Sequence, residues 1–484
     1  MNTYTKANLL KVRSNLMPIM VIAVIAVVIR VLDISSRWLW YDELQSVTHA
    51  ILPLRDLIKS VQMYDPHPPF YYIQLYLWLL FGISDSWIKL NSVLWSVLAI
   101  VSLFVVSRNI FNTRVGILAS ALFAIFPYSV AYAQEARMYS LLMFLGIWNF
   151  FFIYQFLQDN QAVLMAVGIA VSTVTFLYSH GAGFMILFSG LSYALIYLVE
   201  ENRNGWKQVL RWGLLQVGIL VVYLPWMWKV RSINVGHTLT PSINDIIDTL
   251  FILVFGFGKF YPSWFRWIGV LLTVAIIIIL VARSKTSRSV IIAYVIAPIV
   301  FCALTSYLIR PIWLHRTLAY IVPFLSLAIA LIVSESFMNV PKLNIQNRLF
   351  VYGLFTVLGS FLLLTLMNQQ LNYSHNWNFR EAAKYVQKFS KEYDIIYIPY
   401  DRTFWGFNWY FIGPGSVYPL DKNYRLITEN HISVLSKPSI DQDVVDGRNV
   451  WIVYRNTDDI TIFEKDSQDL VQDFGYLIVR KHKE

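Results

Sequence analysis

Cysteine is almost absent: Cys302 is the single one in 484 residues, so no disulfide can form within the chain and a disulfide-stapled scaffold is excluded. Charge is scarce too. Asp, Glu, Lys and Arg make up 14% of residues, where a soluble globular protein carries about 25%. That rules out a soluble multidomain enzyme and a disordered chain. No Gly-Lys-Ser/Thr phosphate loop, no GxGxxG run, no HExxH and no zinc-type Cys/His spacing occurs. These absences argue against a nucleotide-fuelled pump. What the sequence has is apolar surface, 57% hydrophobic and 16% aromatic, in long runs that read as an α-helical polytopic membrane protein.

The first run, Pro18 to Leu32, follows Lys6, Lys11 and Arg13 and reads as an uncleaved signal anchor with a cytoplasmic N-terminus. Further runs of spanning length lie near 88–107, 115–132, 140–157, 162–178, 183–199, 212–228, 265–282, 289–307, 318–334 and 349–367. With the anchor that makes about eleven transmembrane helices. Phe70 to Ile83 and Ile246 to Phe257 are too short to cross comfortably and fit outer juxtamembrane or re-entrant helices. With both kept outside, Arg108/Arg114, Arg203/Lys207/Arg211, Arg283/Lys285/Arg288 and Lys342/Arg348 fall in short cytoplasmic loops, as the positive-inside rule requires.

The basic excess belongs to the membrane part. Residues 368–484 hold 14 basic and 16 acidic side chains, and the residues before them 25 and 13, a bias that fits topology and anionic headgroups rather than nucleic acid. The domains expected are 1–367, transmembrane, and 368–484, a small extracytoplasmic α/β domain. The latter has a helical stretch over Phe379–Phe389 and strands such as Ile395–Tyr400 and Val450–Tyr454. There Trp405, Trp409 and Tyr410 suit sugar stacking or an ordinary core.

Topology gathers the polar clusters on the outer face. Trp38-Leu39-Trp40-Tyr41-Asp42-Glu43 sets two carboxylates among aromatics, a setting for a general base and a substrate or metal ligand; an aromatic belt with a capping Asp reads equally well. Asp65-Pro66-His67-Pro68-Pro69 fixes an imidazole just before the short apolar helix, which is also an ordinary helix start. Gln134-Glu135-Ala136-Arg137-Met138-Tyr139 packs both charges into a tight outer loop, placed at headgroup level to grip a phosphate. A surface ion pair is the plainer reading. His180, Lys229, Arg231, Arg310, His315 and Arg316 stand at outer span ends. Each basic one alone fits snorkelling; as a set they fit a site that neutralises a leaving phosphate.

Tyr-Asp-Glu after the first span, His-Pro-Pro-Phe-Tyr-Tyr leading into Leu-Trp-Leu-Leu-Phe-Gly, Arg-Asn-Ile-Phe-Asn-Thr-Arg, and Gln-Glu-Ala-Arg-Met-Tyr-Ser-Leu-Leu follow one another in an order that resembles the mannosyltransferase-like branch of the GT-C membrane glycosyltransferases. That superfamily includes the protein O-mannosyltransferases and the lipid A aminoarabinose transferase. The resemblance covers roughly residues 15–335, and Asn376-Trp377-Asn378-Phe379-Arg380-Glu381-Ala382-Ala383 is similar to the start of the outer domain in some members. It implies a GT-C-like fold and an inverting transferase with a polyprenyl-phosphate sugar donor, a lipid, glycan or protein acceptor, and no nucleic-acid partner. Asp42 then matches the expected base, and Glu43 would place the acceptor or a metal. His67 would wall the site, and Glu135 and Arg137 would serve the donor phosphate. Tyr64, Tyr139, His180, Lys229, Arg231, Arg310, His315 and Arg316 complete the candidate substrate-binding set. No cofactor is required by this reading; a divalent metal is an open expectation, with Glu43, Glu135 and His67 as its candidates. Two alternatives stand beside it: a lipid-linked sugar polymerase or oligosaccharide ligase, and a transporter or flippase. The latter calls for mid-membrane ionisable groups, for which Arg30 is the nearest candidate.

Overall fold

The computed structural model describes residues 3–159, 161–200, 205–230, 240–257, 264–271, 285–339, 345–372, 378–391, 394–398, 401–412, 425–427, 433–435, 450–455, 470–473 and 477–482. They form two compact units. The first comprises Met1–Ile34, Ile58–Gln74 and Lys89–Asn372, the second Ser35–Leu57, Leu75–Ile88 and Tyr373–Glu484.

The helices run as α1 (Thr3–Val31), α2 (Tyr41–Ala50), α3 (Leu54–Tyr64), α4 (Phe70–Leu79), α5 (Asp85–Ile110), α6 (Thr113–Ile125), α7 (Pro127–Ala133) and α8 (Tyr139–Leu157). After them come α9 (Ala162–Leu177), α10 (Met185–Glu200), α11 (Trp206–Val230), α12 (Ile243–Phe255) and a helical stretch, α13, over residues 264–271. The last are α14 (Lys285–Ile291), α15 (Ala297–Leu308), α16 (Val322–Asn339), α17 (Ile345–Asn372), α18 (Phe379–Phe389) and α19 (Asp401–Phe411). Among the described residues five helical stretches are long and apolar enough to cross a membrane; α6 and α7 make a sixth if that bent pair is one span. This is a multi-pass membrane protein. The two short apolar runs form α4, of 10 residues, and α12, of 13, each below the roughly 20 residues a helix needs to cross. The expected span over 265–282 lies mostly outside the described residues.

Three expected spans depart from regular helix, each at a proline. The run over 115–132 bends by 63° between Ile125 and Pro127. Phe126, forced out of helical backbone by the proline after it, sits at ψ 120°. Such a bend strands carbonyls inside an apolar bundle, and the buried Arg30 meets one of them. Its guanidinium donates to Ala124 O and Ser129 Oγ (2.8 Å each) and to Ser96 Oγ at 2.8 Å. Arg30 is therefore a structural pin of the first unit. In the run over 289–307, Ile292–Ile296 is π-helical ahead of Pro298, which has no N–H to give. The run over 318–334 begins as a 3₁₀ turn over His315–Ile321 before α16 and Pro323.

The second unit holds a six-stranded sheet in the order β2-β3-β1-β4-β6-β5. β1 (Ile395–Tyr397) lies parallel to β3 (Ser433–Leu435) and β4 (Val450–Arg455). β2 (Arg425–Ile427), β5 (Leu470–Asp473) and β6 (Leu477–His482) pair antiparallel. The central β1 is buried at every residue, as an inner parallel strand requires. α18 buries Phe379, Ala382, Ala383 and Val386, the i, i+3, i+4, i+7 stripe of one helix face. α19 packs on α18 at Gly406, where a Cβ would lie 2.4 Å from the Phe379 ring. Trp409 is buried at 4% exposure, as a core residue is, and the Trp405 side chain lies outside the described residues.

Candidate active site

In the first unit the Pro127 bend redirects α7 so that the chain turns at once into α8 through residues 134–138. Buried partners hold this turn. Lys89 Nζ donates to Gln134 O at 3.2 Å, Ser92 Oγ to Arg137 O at 3.2 Å, and Gln134 Nε2 to Arg30 O at 3.1 Å. Glu135 and Arg137 are 4% and 3% exposed. The tight loop does not present them at the headgroup surface as expected, and a solvated surface pair is excluded. The reason is the bend: it folds the loop under neighbouring helices instead of ending a straight span at the interface.

Asp65 is buried and closes an Asx turn, its Oδ1 accepting from His67 N–H at 2.7 Å and its Oδ2 from Tyr72 O–H at 2.9 Å. Burial, and then the Asp65 charge, push the Tyr72 hydroxyl well above its ordinary pKa, so it stays a donor. Phe70 N–H donates to Tyr178 O at 2.9 Å, tying the His67 turn to the loop that follows α9. In that loop Gly181 N–H donates to His67 Nδ1 at 3.0 Å and Ala182 N–H to His180 Nδ1 at 3.1 Å. Both Nδ1 atoms accept, so each ring carries its proton on Nε2. The rings lie 4.6 Å apart. His180 is held well below the ordinary histidine pKa by burial and then by His67, Arg137 and Arg316, with Asp65 opposing. Asp65, His67, Arg137, His180 and Arg316 are thus one electrostatic cluster.

The cluster opens onto a cavity of about 380 Å³. One part of its wall is polar, with His67, His180, Arg310, Arg316 and Thr305; Phe184, Tyr223, Met227, Ile312 and Leu314 make the rest largely apolar. Thr305 Oγ1 is buried with no hydrogen-bond partner. From His180 a run of aromatic rings leads on through Tyr139 (6.0 Å) and Tyr132 (4.5 Å) to His315, whose Nδ1 is 3.1 Å from Tyr132 Oη. An amphiphile with an anionic head fits this arrangement: cations and N–H donors at one place, oily wall beyond.

Tyr64, 57% exposed at the end of α3, and Lys229, exposed in the last turn of α11, do not line this cavity. Arg231 lies outside the described residues. Sequence reasoning passed over Asp65 as a site residue although the Asp-Pro-His order marks an Asx turn, and it gave no signal for Thr305 or Tyr223. In the second unit Asp42 is half-buried in the first turn of α2, and Glu43 is buried, its Oε2 accepting from Trp40 N–H at 3.0 Å as a helix cap. Among the described residues no three His, Cys, Asp or Glu side chains gather as a metal-binding group.

Residues 66–228 match the family described as dolichyl-phosphate-mannose-protein mannosyltransferase. The chain is similar to ArnT from Cupriavidus metallidurans in its apo state, with a TM-score of 0.61 at 14% identity over 95% of this chain and 97% of that one. The chain thus has the GT-C fold. ArnT from the same organism bound to undecaprenyl phosphate gives 0.58 at 14% identity, again over 95% and 97%. The archaeal oligosaccharyltransferase AglB from Archaeoglobus fulgidus, in complex with an inhibitory peptide and a dolichol-phosphate, gives 0.51 at 13% identity over 83% of this chain and 64% of that one. No curated protein is significantly similar in sequence. The GT-C fold expected from the ordered motifs is thus the observed one.

Proposed function

We propose that the protein is a membrane glycosyltransferase that takes its sugar from a polyprenyl-phosphate donor and passes it, with inversion, to a hydroxyl acceptor at the extracytoplasmic face. The observation that carries this is the cavity of about 380 Å³ in the first unit, with His67, His180, Arg310 and Arg316 in an otherwise mostly apolar wall. A lipid-linked sugar presents one phosphate at the end of a hydrocarbon tail, and this cavity suits both parts. The bound lipid phosphates of ArnT and AglB support the same donor class.

In the displacement, the acceptor oxygen bonds to the anomeric carbon as the bond from that carbon to the phosphate oxygen breaks. The bonding pair leaves on the phosphate, where Arg310, Arg316 and the Nε2–H groups of His67 and His180 stabilise the developing charge. The hydroxyl proton goes to Asp42, assigned as base from the Tyr-Asp-Glu motif and its half-buried carboxylate. Glu43, already engaged as a cap, orders the turn that carries Asp42. The sugar transferred, hexosyl or pentosyl, follows from assay.

The test is transfer from a panel of radiolabelled polyprenyl-phosphate sugars to membrane extract, by wild type and Asp42→Asn. Consumption of one donor by wild type and not by the folded variant supports reaction and base together. Failure to bind any donor removes the reading; binding without transfer, coupled to movement of label across vesicles, replaces it with a flippase.

A further inference from the structure

Within the second unit the segment carrying Asp42 is fastened at a polar node. Trp78 and Trp87 close the turn between α4 and α5: their rings stack at 4.7 Å and 13°, and each indole N–H donates to the other's carbonyl, at 2.8 and 3.2 Å. Gly82 lies under this clasp, where a Cβ would meet Trp87 at 3.0 Å. The clasp fixes Asp85 at the start of α5. Asp85 Oδ2 takes an ion pair from Arg380 in the first turn of α18, and accepts from Tyr410 O–H of α19 at 2.9 Å. The same Tyr410 oxygen accepts from Leu39 N–H at 2.7 Å, and α19 packs on α2. The Arg380 guanidinium also stands 5.7 Å from the centroid of the Tyr410 ring.

Three chain segments far apart in sequence thus meet at one phenol, three residues before Asp42. We infer that Asp85, Arg380 and Tyr410 are positioning residues: through the Leu39 amide they set the backbone from which α2 presents Asp42. The C-terminal α/β region is thereby part of the catalytic apparatus. Tyr410 is suited to the task because its rigid ring carries one oxygen that can donate and accept at once. Burial, with Asp85 beside it, holds that hydroxyl well above its ordinary pKa, so both hydrogen bonds persist across the working pH range.

The inference rests on the reading of Asp42 as the acceptor base, and its test separates the two. Full-length protein in nanodiscs is compared as wild type, Tyr410→Phe, Asp85→Asn and Lys384→Ala, the last an exposed control whose partner is Glu381. Amide exchange is followed over residues 38–46, and kcat and donor KM are measured once a donor is known. Tyr410→Phe is expected to speed exchange over 38–46 at least tenfold and to lower kcat about ten- to hundredfold with donor KM unchanged. Asp85→Asn, which keeps an oxygen to accept from Tyr410, recovers most of both; Lys384→Ala moves neither. Unchanged exchange over 38–46 in Tyr410→Phe overturns the inference, as does a raised KM at constant kcat. The exchange measurement needs no substrate. If wild type turns over no donor, the transferase reading fails while the exchange result still decides whether the node fastens this segment.

Discussion

His67 and His180 lie with ring centroids 4.6 Å apart, and each accepts a backbone N–H at Nδ1. Neither ring can take up a second proton without breaking that bond, and His180 has Arg137 and Arg316 in its field as well. The folded state therefore disfavours the His180 proton, while the unfolded chain binds it with a pKa near 6.5. The contribution is fully present above about pH 6.5 and is lost as pH falls below it, by up to about 1.4 kcal/mol per pH unit from this one group. Thermal unfolding of the detergent-solubilised protein from pH 7.5 to 5.5 should show a decline in Tm that His180→Gln flattens. An equal decline in the variant would place the titration elsewhere.

Arg316→Ala should weaken binding of a polyprenyl phosphate about ten- to hundredfold, because one charge-assisted contact to a phosphate is lost. Arg316→Lys keeps the charge without the planar fork and is expected to fall between the two. Scintillation proximity binding with a labelled lipid phosphate measures both. Lys229→Ala, whose residue is exposed and not in the cavity wall, should bind as wild type does.

Arg30→Met should destabilise the protein by about 3 kcal/mol or more. Removing the guanidinium takes partners from Ala124 O, Ser129 Oγ and Ser96 Oγ together, all inside the bundle. Arg30→Lys is expected to rescue little, since one ammonium cannot reproduce the geometry of the fork. Equilibrium unfolding in mixed micelles reads the difference. Stability equal to wild type in Arg30→Met would mean that the Pro127 bend does not depend on the pin.

These residues also mark how far the sequence could be read. Apolar runs and their basic flanks place helices well, because length and hydrophobicity are local properties; α4 and α12 came out short for that reason. Pro127 lies in plain view, yet whether a proline is absorbed or bends a span depends on a partner for the freed carbonyls. That partner, Arg30, is 94 residues from the carbonyl of Ala124 that it meets. Ordered motifs bring His67, Glu135 and Arg137 into the candidate list and position at an outer span end brings His180; of these, His67, Arg137 and His180 share one electrostatic cluster in the first unit. Lys229 enters the list by the same kind of position, and position along a helix does not say which face a side chain takes. Leu39 and Tyr410 are 371 residues apart, and only the fold brings that amide to that phenol.

Gly406 supplies the last prediction. A Cβ there would lie 2.4–2.6 Å from three atoms of the Phe379 ring, and that ring is fully buried with nowhere to rotate. Gly406→Ala should therefore separate α18 from α19 and cost about 1–3 kcal/mol by overpacking. Arg380 and Tyr410 ride on these two helices, so the damage should reach beyond stability. Exchange over residues 38–46 should rise in Gly406→Ala, although no side chain of that segment is altered. Phe379→Leu in the same chain removes the clashing atoms and should restore both stability and exchange, whereas Phe379→Leu alone leaves a cavity and destabilises. Suppression of one defect by the other is the outcome that ties α18–α19 packing to the Asp42 segment. Simple addition of the two losses would mean that the helices and the segment respond separately.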